Sequence, residues 1–172
     1  MTAAGSNSSA ARRRGVTSRV VPRVACATMI AAVTATVLAP TSFADPTGEL
    51  KSAVEAKRGG CPALQSDPVL DAVAQRANLE TQAYASFAAR YQPMEDPMPT
   101  LRELSYPAGK SKMLSGFGDA QQFADPQQKA AYGVTLFGWD TIPDCSYTRY
   151  GADTATETKS GNAFAVVVLV GD

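Results

Sequence analysis

The stretch AFAVVVLV, residues 163–170, decides the fold. It is an unbroken apolar run of strand length, without the alternation of a strand that has one wet face, so both of its faces must be covered. Just upstream, YTRYGADTAT (residues 147–156) mixes aromatic and β-branched residues, and the polar Glu157-Thr158-Lys159-Ser160-Gly161-Asn162 separates it from the apolar run. That order predicts a hairpin with AFAVVVLV as its second strand. A strand buried on both sides needs a layer above and a layer below, and the helix signals earlier in the chain supply them. The expected fold is α+β: an α-β-α sandwich with a small antiparallel sheet between helical layers, closed by a C-terminal β-hairpin.

The helical layers are marked by caps and spacing. Residues 48–58 (GELKSAVEAKR) put Leu50, Ala53, Val54 and Lys57 on neighbouring turns, with Gly59-Gly60 as the stop. Asp67-Pro68 opens the clearest helix, a capping carboxylate followed by proline in the first turn. Leu70, Val73, Ala74, Ala77, Thr81, Tyr84 and Ala88 then recur at three- and four-residue steps, predicting one largely apolar stripe on a helix that runs to about Arg90. YQPMEDPMPT (91–100) is broken by its prolines and crosses between layers as a loop. Thr100-Leu101-Arg102-Glu103 has capping-box spacing for a short helix halted by Pro107. Asp125-Pro126 repeats the cap-and-proline signal for a helix to about Phe137, although YGVTLFGW (132–139) also has strand-like content. KSKMLSGFGD (110–119) fits neither pattern cleanly.

The first 44 residues are expected to leave. Arg12, Arg13, Arg14, Arg19 and Arg23 have no acidic neighbours and precede the apolar VACATMIAAVTATVLA. That run is shorter than the ~20 residues a membrane-spanning helix needs, and it leads to the small-x-small pattern Ser42-Phe43-Ala44. Residues 1–44 are therefore expected to be a signal peptide and residues 45–172 one domain, exported to the cell envelope or beyond, with no stable membrane span after cleavage. Loss of the five arginines leaves 11 basic residues against 16 acidic ones, a net charge of −5. Such a surface gives nucleic acid no electrostatic reason to bind. Of the three cysteines only Cys61 and Cys145 remain, in an oxidising compartment. They can form one intramolecular bridge, worth ~4–5 kcal/mol in the loop model, the alternatives being free thiols or an intermolecular bridge.

Taken together, GGCPALQSDPVLDAVAQRA (59–77) and IPDCSYTRYG (142–151) resemble the secreted CAP superfamily (cysteine-rich secretory, antigen 5 and pathogenesis-related proteins). The likeness is to its small exported actinobacterial members and covers most of residues 48–172. It implies an α-β-α sandwich and a Cys61–Cys145 disulfide. Typical members set two histidines and two acidic residues around a cleft that can hold a divalent metal. This chain has no histidine, and the helix histidine would fall at or beside Ala77, on the apolar stripe.

Without imidazole there is no Ser-His-Asp triad, no Cys-His pair and no evident zinc shell, so no catalytic residue, metal ligand or cofactor is assigned. Arg76 and Glu80 have the spacing of a surface ion pair. Glu80, Thr81 and Tyr84 are the candidates for a remnant cleft. Gly116-Phe117-Gly118 lacks the third glycine of a phosphate loop, and Glu95-Asp96, Asp119 and Asp125 have the positions of caps and loop carboxylates. The leading expectation is an exported, non-catalytic binding or cell-envelope protein, its ligand a lipid, a glycan or a protein. The rivals are a hydrolase of envelope peptide or glycan that works through carboxylates, and a purely structural envelope component. A carboxylate pair in a concave pocket would favour the hydrolase, and the structural component would have no pocket.

Overall fold

The central strand is the apolar run. In the computed structural model, which describes residues 45–172, Ala163–Gly171 forms a strand (β4) in which all nine residues are buried. It pairs antiparallel with Arg149–Thr156 (β3) on one side and with Lys110–Gly118 (β2) on the other. Gln65–Ser66 (β1) adds two residues parallel to β3, which makes the four-stranded sheet mixed, in the order β1-β3-β4-β2. The strand pair β3-β4 is the expected hairpin; β1, too short to carry a hydrophobic pattern, was not foreseen.

Side-chain alternation along β4 feeds two cores. Ala163, Ala165, Val167 and Leu169 face Leu50 and Val54 of Pro46–Ala56 (α1) and Ala130 and Val134 of Pro126–Phe137 (α4). Val166, Val168 and Val170 face Leu70, Val73, Ala74 and Ala77 of Pro68–Ala85 (α2) and Leu101 of Met98–Glu103 (α3). The class is α+β, with helices on both faces of the sheet. Each fully buried Val or Leu stabilises by ~1.5–3 kcal/mol, so a polar side chain at Val167 or Val168 would be among the most damaging changes available.

Two of the three predicted caps form; Thr100 does not cap, because α3 already starts at Met98 and its N-cap, Pro97, makes no side-chain cap bond. Asp67 accepts the Val69 N–H at 2.8 Å and Asp125 the Gln128 N–H at 2.9 Å, with proline in the first turn of each helix. The ambiguous 110–118 segment is β2, and 132–137 is helix. Gly116 explains both: a Cβ there would lie 1.9 Å from the Ala130 carbonyl oxygen, so α4 packs backbone-to-backbone on β2 only because the strand has glycine at that point. At Gly151 of β3 a Cβ would lie 2.0 Å from the Leu70 carbonyl carbon, and α2 seats on the sheet in the same way.

One prediction fails in its length. α2 ends at Ala85 rather than near Arg90, because Phe87 takes a positive φ of 58° and the Ala89 N–H turns back to the Ala83 carbonyl. The apolar stripe leaves the core earlier still. Ala77 is fully buried, Thr81 is half-buried with its hydroxyl on the Ala77 carbonyl, and Tyr84 and Ala88 are exposed.

Cys61 and Cys145 are joined, with Cα atoms 5.1 Å apart. Beside them Arg58 is buried, without a carboxylate partner among the described residues. Its guanidinium donates instead to the carbonyls of Pro62, Ile142, Asp144 and Tyr147, at 2.6–3.3 Å. The expected signal peptide, residues 1–44, lies outside the described residues. Among the described residues no helix is long and apolar enough to cross a membrane.

Candidate functional site

The early end of α2 and the close seating of α4 leave a groove along the outer edge of β2. Past Ala85 no helix among the described residues covers this face of the sheet, and Phe117 of β2 and Phe164 of β4 meet there with ring centroids 5.3 Å apart. On the other side of the strand α4 stands against Gly116 and turns Tyr132, Gly133, Leu136 and Phe137 toward the same opening. Tyr84 and Thr81 close the α2 side. The cavity holds about 560 Å³, within the ~300–1,000 Å³ usual for ligand sites. Its lining is largely apolar and accessible: Phe117 is 50 % exposed and Phe137 69 %. Burying such surface in water-free contact is what a ligand or partner would gain from it.

One charge stands at the rim. The Lys129 ammonium lies 4.9 Å from the Phe123 ring centroid and 5.0 Å from that of Tyr132, held by the negative faces of the two rings. Among the described residues it has no carboxylate within salt-bridge distance. Lys129 and Tyr132 also line a second depression of about 420 Å³ beside Phe123 and Gln128, so the cation stands between two hollows.

Of the three residues proposed for a remnant cleft, the structure brings two together. Thr81 and Tyr84 line the groove. Glu80 does not: its carboxylate receives Arg76 Nε at 3.0 Å and the Met94 N–H at 3.1 Å, so it fastens the 91–97 loop to α2. The groove's remaining wall, above all Phe117, Lys129, Leu136 and Phe137, was missed. A signal for it was present. QQKAAYGVTLF buries Ala130 and Val134 yet carries Tyr132, Leu136 and Phe137 off that face, and apolar residues on a second face of a helix ask for a second partner.

The other candidates have local roles. Gly116-Phe117-Gly118 lies within β2 and cradles no phosphate. Glu95 receives the Gln92 side chain, Asp96 the Met98 N–H, Asp119 the Gln121 N–H, and Asp125 caps α4. None of them lines the groove beside another carboxylate. Ala77 of α2 packs in the core; the neighbouring Asn78 donates to the carbonyl and the carboxylate of Asp153 at 3.0 and 2.7 Å. Burial pushes the Asp153 carboxyl above its ordinary range, against the Asn78 hydrogen bond. Among the described residues no three cysteine or carboxylate side chains come together to hold a metal ion. No protein-family model matches the chain, and no curated protein matches it either.

Proposed function

We propose that the protein is an exported, non-catalytic binding protein of CAP-like architecture that holds its ligand in the groove along β2. The observation that carries this reading is an accessible aromatic groove of about 560 Å³ that, among the described residues, has a single cation at its rim and no carboxylate in its lining. A carboxylate-dependent hydrolase would need two acidic groups across a pocket, and Glu80, Glu95 and Asp96 are each engaged in local hydrogen bonds outside it. A purely structural component has no use for an open apolar hollow. Export is supported by the disulfide and by the arginine-then-apolar order of the first 44 residues. The CAP-like reading rests on the residues quoted for it and agrees with helices on both faces of a small sheet.

The test uses anilinonaphthalene sulfonate, an apolar fluorophore with one negative charge. It is expected to bind saturably at one site per chain with enhanced emission. Leu136→Glu with Phe137→Glu should abolish the signal while lowering stability by no more than ~1–2 kcal/mol, since Leu136 is about half exposed and Phe137 more so, and the two carboxylates in the last turn of α4 oppose its dipole only weakly. A signal unchanged in that variant would remove the groove from the function.

A further inference from the structure

The groove has an unusual floor: Ser115, Gly116 and Phe117 are the outermost strand of the sheet. A strand directs half of its backbone N–H and C=O groups to each side. β2 spends one half on β4. Among the described residues no other backbone or side-chain group bonds to the backbone of residues 111–118. Resting on the groove being the ligand site, we propose that the open edge of β2 receives an extended peptide segment, apolar at its centre and acidic at its flanks, as a fifth strand of the sheet.

The backbone decides against a purely hydrocarbon occupant. An acyl tail laid over Ser115–Phe117 would exclude water from the free N–H and C=O groups and give them nothing in return. An extended chain satisfies them with its own main chain and sends alternate side chains to opposite walls. The walls suit that alternation. Phe117, Phe164 and Tyr84 lie on the α2 side of the strand, while Leu136 and Phe137 lie on the α4 side. α4 is held to the strand through Gly116, so the α4 helix backbone stands at a fixed separation from the edge before anything binds.

Charge chooses the flanks and disfavours a second copy. β2 and α4 contain Lys110, Lys112 and Lys129 and no acidic residue. Lys110 is neutralised by Asp144 at 2.9 Å, and Lys112 and Lys129 have no carboxylate partner among the described residues. Asp119 and Asp125, next to these elements, are turned to local N–H groups. A second copy pairing through its own β2 would bring the same lysines to the same edge. A segment bearing glutamate or aspartate would find complementary charge there.

The experiment measures fluorescence anisotropy of blocked synthetic octapeptides of alternating valine and phenylalanine on the full-length oxidised protein. One set is flanked by glutamates and one by lysines. Two further glutamate sets carry N-methyl groups on alternate residues, in either of the two registers. The glutamate set should bind at least tenfold tighter than the lysine set, and Lys129→Glu should reverse that order. N-methylation should abolish binding in one register and spare it in the other, because a bound strand points only every second N–H at β2. Equal effects of the two registers, or no preference between flanking charges, would overturn the proposal. So would a protein dimer, seen by light scattering, that persists when the peptide is added. If anilinonaphthalene sulfonate or sodium dodecanoate binds and no peptide does, this inference fails and the groove remains a small-molecule site. If no probe of any kind binds, the functional reading fails with it.

Discussion

β2 begins beside the disulfide and ends in the groove, and the two ends are finished in opposite ways. At its start Lys110 pairs with Asp144 and lies 3.9 Å from the Tyr147 ring centroid, while Arg58, only 3 % exposed, binds four carbonyls of the surrounding loops. At its far end Phe117 is half exposed and, among the described residues, its strand edge is unpaired and Lys129 has aromatic rings but no carboxylate. The first arrangement consumes polar groups to fix irregular chain. The second leaves apolar surface and hydrogen-bonding groups unspent. Stability is therefore expected to reside at the stapled end and binding at the open one.

The largest expected effect tests the first half of that contrast. Cys61 and Cys145 are 84 residues apart, and opening that loop should cost ~4–5 kcal/mol in the chain-entropy picture. Calorimetry with and without reductant should show a drop on the order of 10 °C or more. Affinity for the groove probe, measured well below either transition, should change by less than about twofold. A large loss of binding on reduction would show that the two ends are coupled and break the comparison.

Arg58→Met comes next. Methionine fills part of the volume but leaves the carbonyls of Ile142 and Tyr147, which bond the buried guanidinium, without a donor. An unsatisfied buried acceptor costs ~1–3 kcal/mol, so a total loss of about 3 kcal/mol is expected by urea unfolding. A cost below ~1 kcal/mol would mean that water replaces the guanidinium, and the loops it binds would no longer count as the rigid end.

The stapled end and the central sheet were the legible parts of the sequence. AFAVVVLV announces a doubly covered strand because burial is written directly into residue type, and Asp67-Pro68 and Asp125-Pro126 announce helix starts because the capping chemistry is local. The end of α2 was not legible, since Ser86-Phe87-Ala88 has no glycine or proline and the positive φ at Phe87 is imposed without one. β2 was ambiguous for a related reason. Its Gly116 and Gly118 answer to the backbone of α4 rather than to a strand pattern. The burial of Arg58 left no mark in the sequence because its partners are carbonyls, which every residue has. The groove draws on four elements, and one-dimensional spacing along α2 could find only Thr81 and Tyr84, while Glu80, at the edge of that stripe, bonds to the 91–97 loop.

The smallest expected effect concerns acid. The Asp144 carboxylate accepts hydrogen bonds from Ser146, through its N–H at 2.9 Å and its hydroxyl, and from the Lys110 ammonium; these hold it well below its ordinary 3.8. A carboxyl depressed in the folded state contributes stability above its unfolded pKa and loses it as pH falls through the folded one. Asp153 works the other way. Burial raises it, so its ionisation costs stability as pH climbs above 3.8, and the two effects partly offset each other in the whole protein. Asp144→Asn separates them. Wild type should be modestly more stable than this variant at pH 7, and the difference should shrink as the pH is lowered below 3.8. Because Asp144 is exposed the difference is expected to be small, and it is read more sharply by hydrogen exchange at the Ser146 amide than by global unfolding. Neither β2 nor α4 carries a carboxylate, so probe binding in the groove should keep its affinity across the same range. Parallel stability curves for wild type and variant would reduce Asp144 to a solvated loop residue. A groove that lost its probe with the same midpoint would place acid sensitivity at the wrong end of β2.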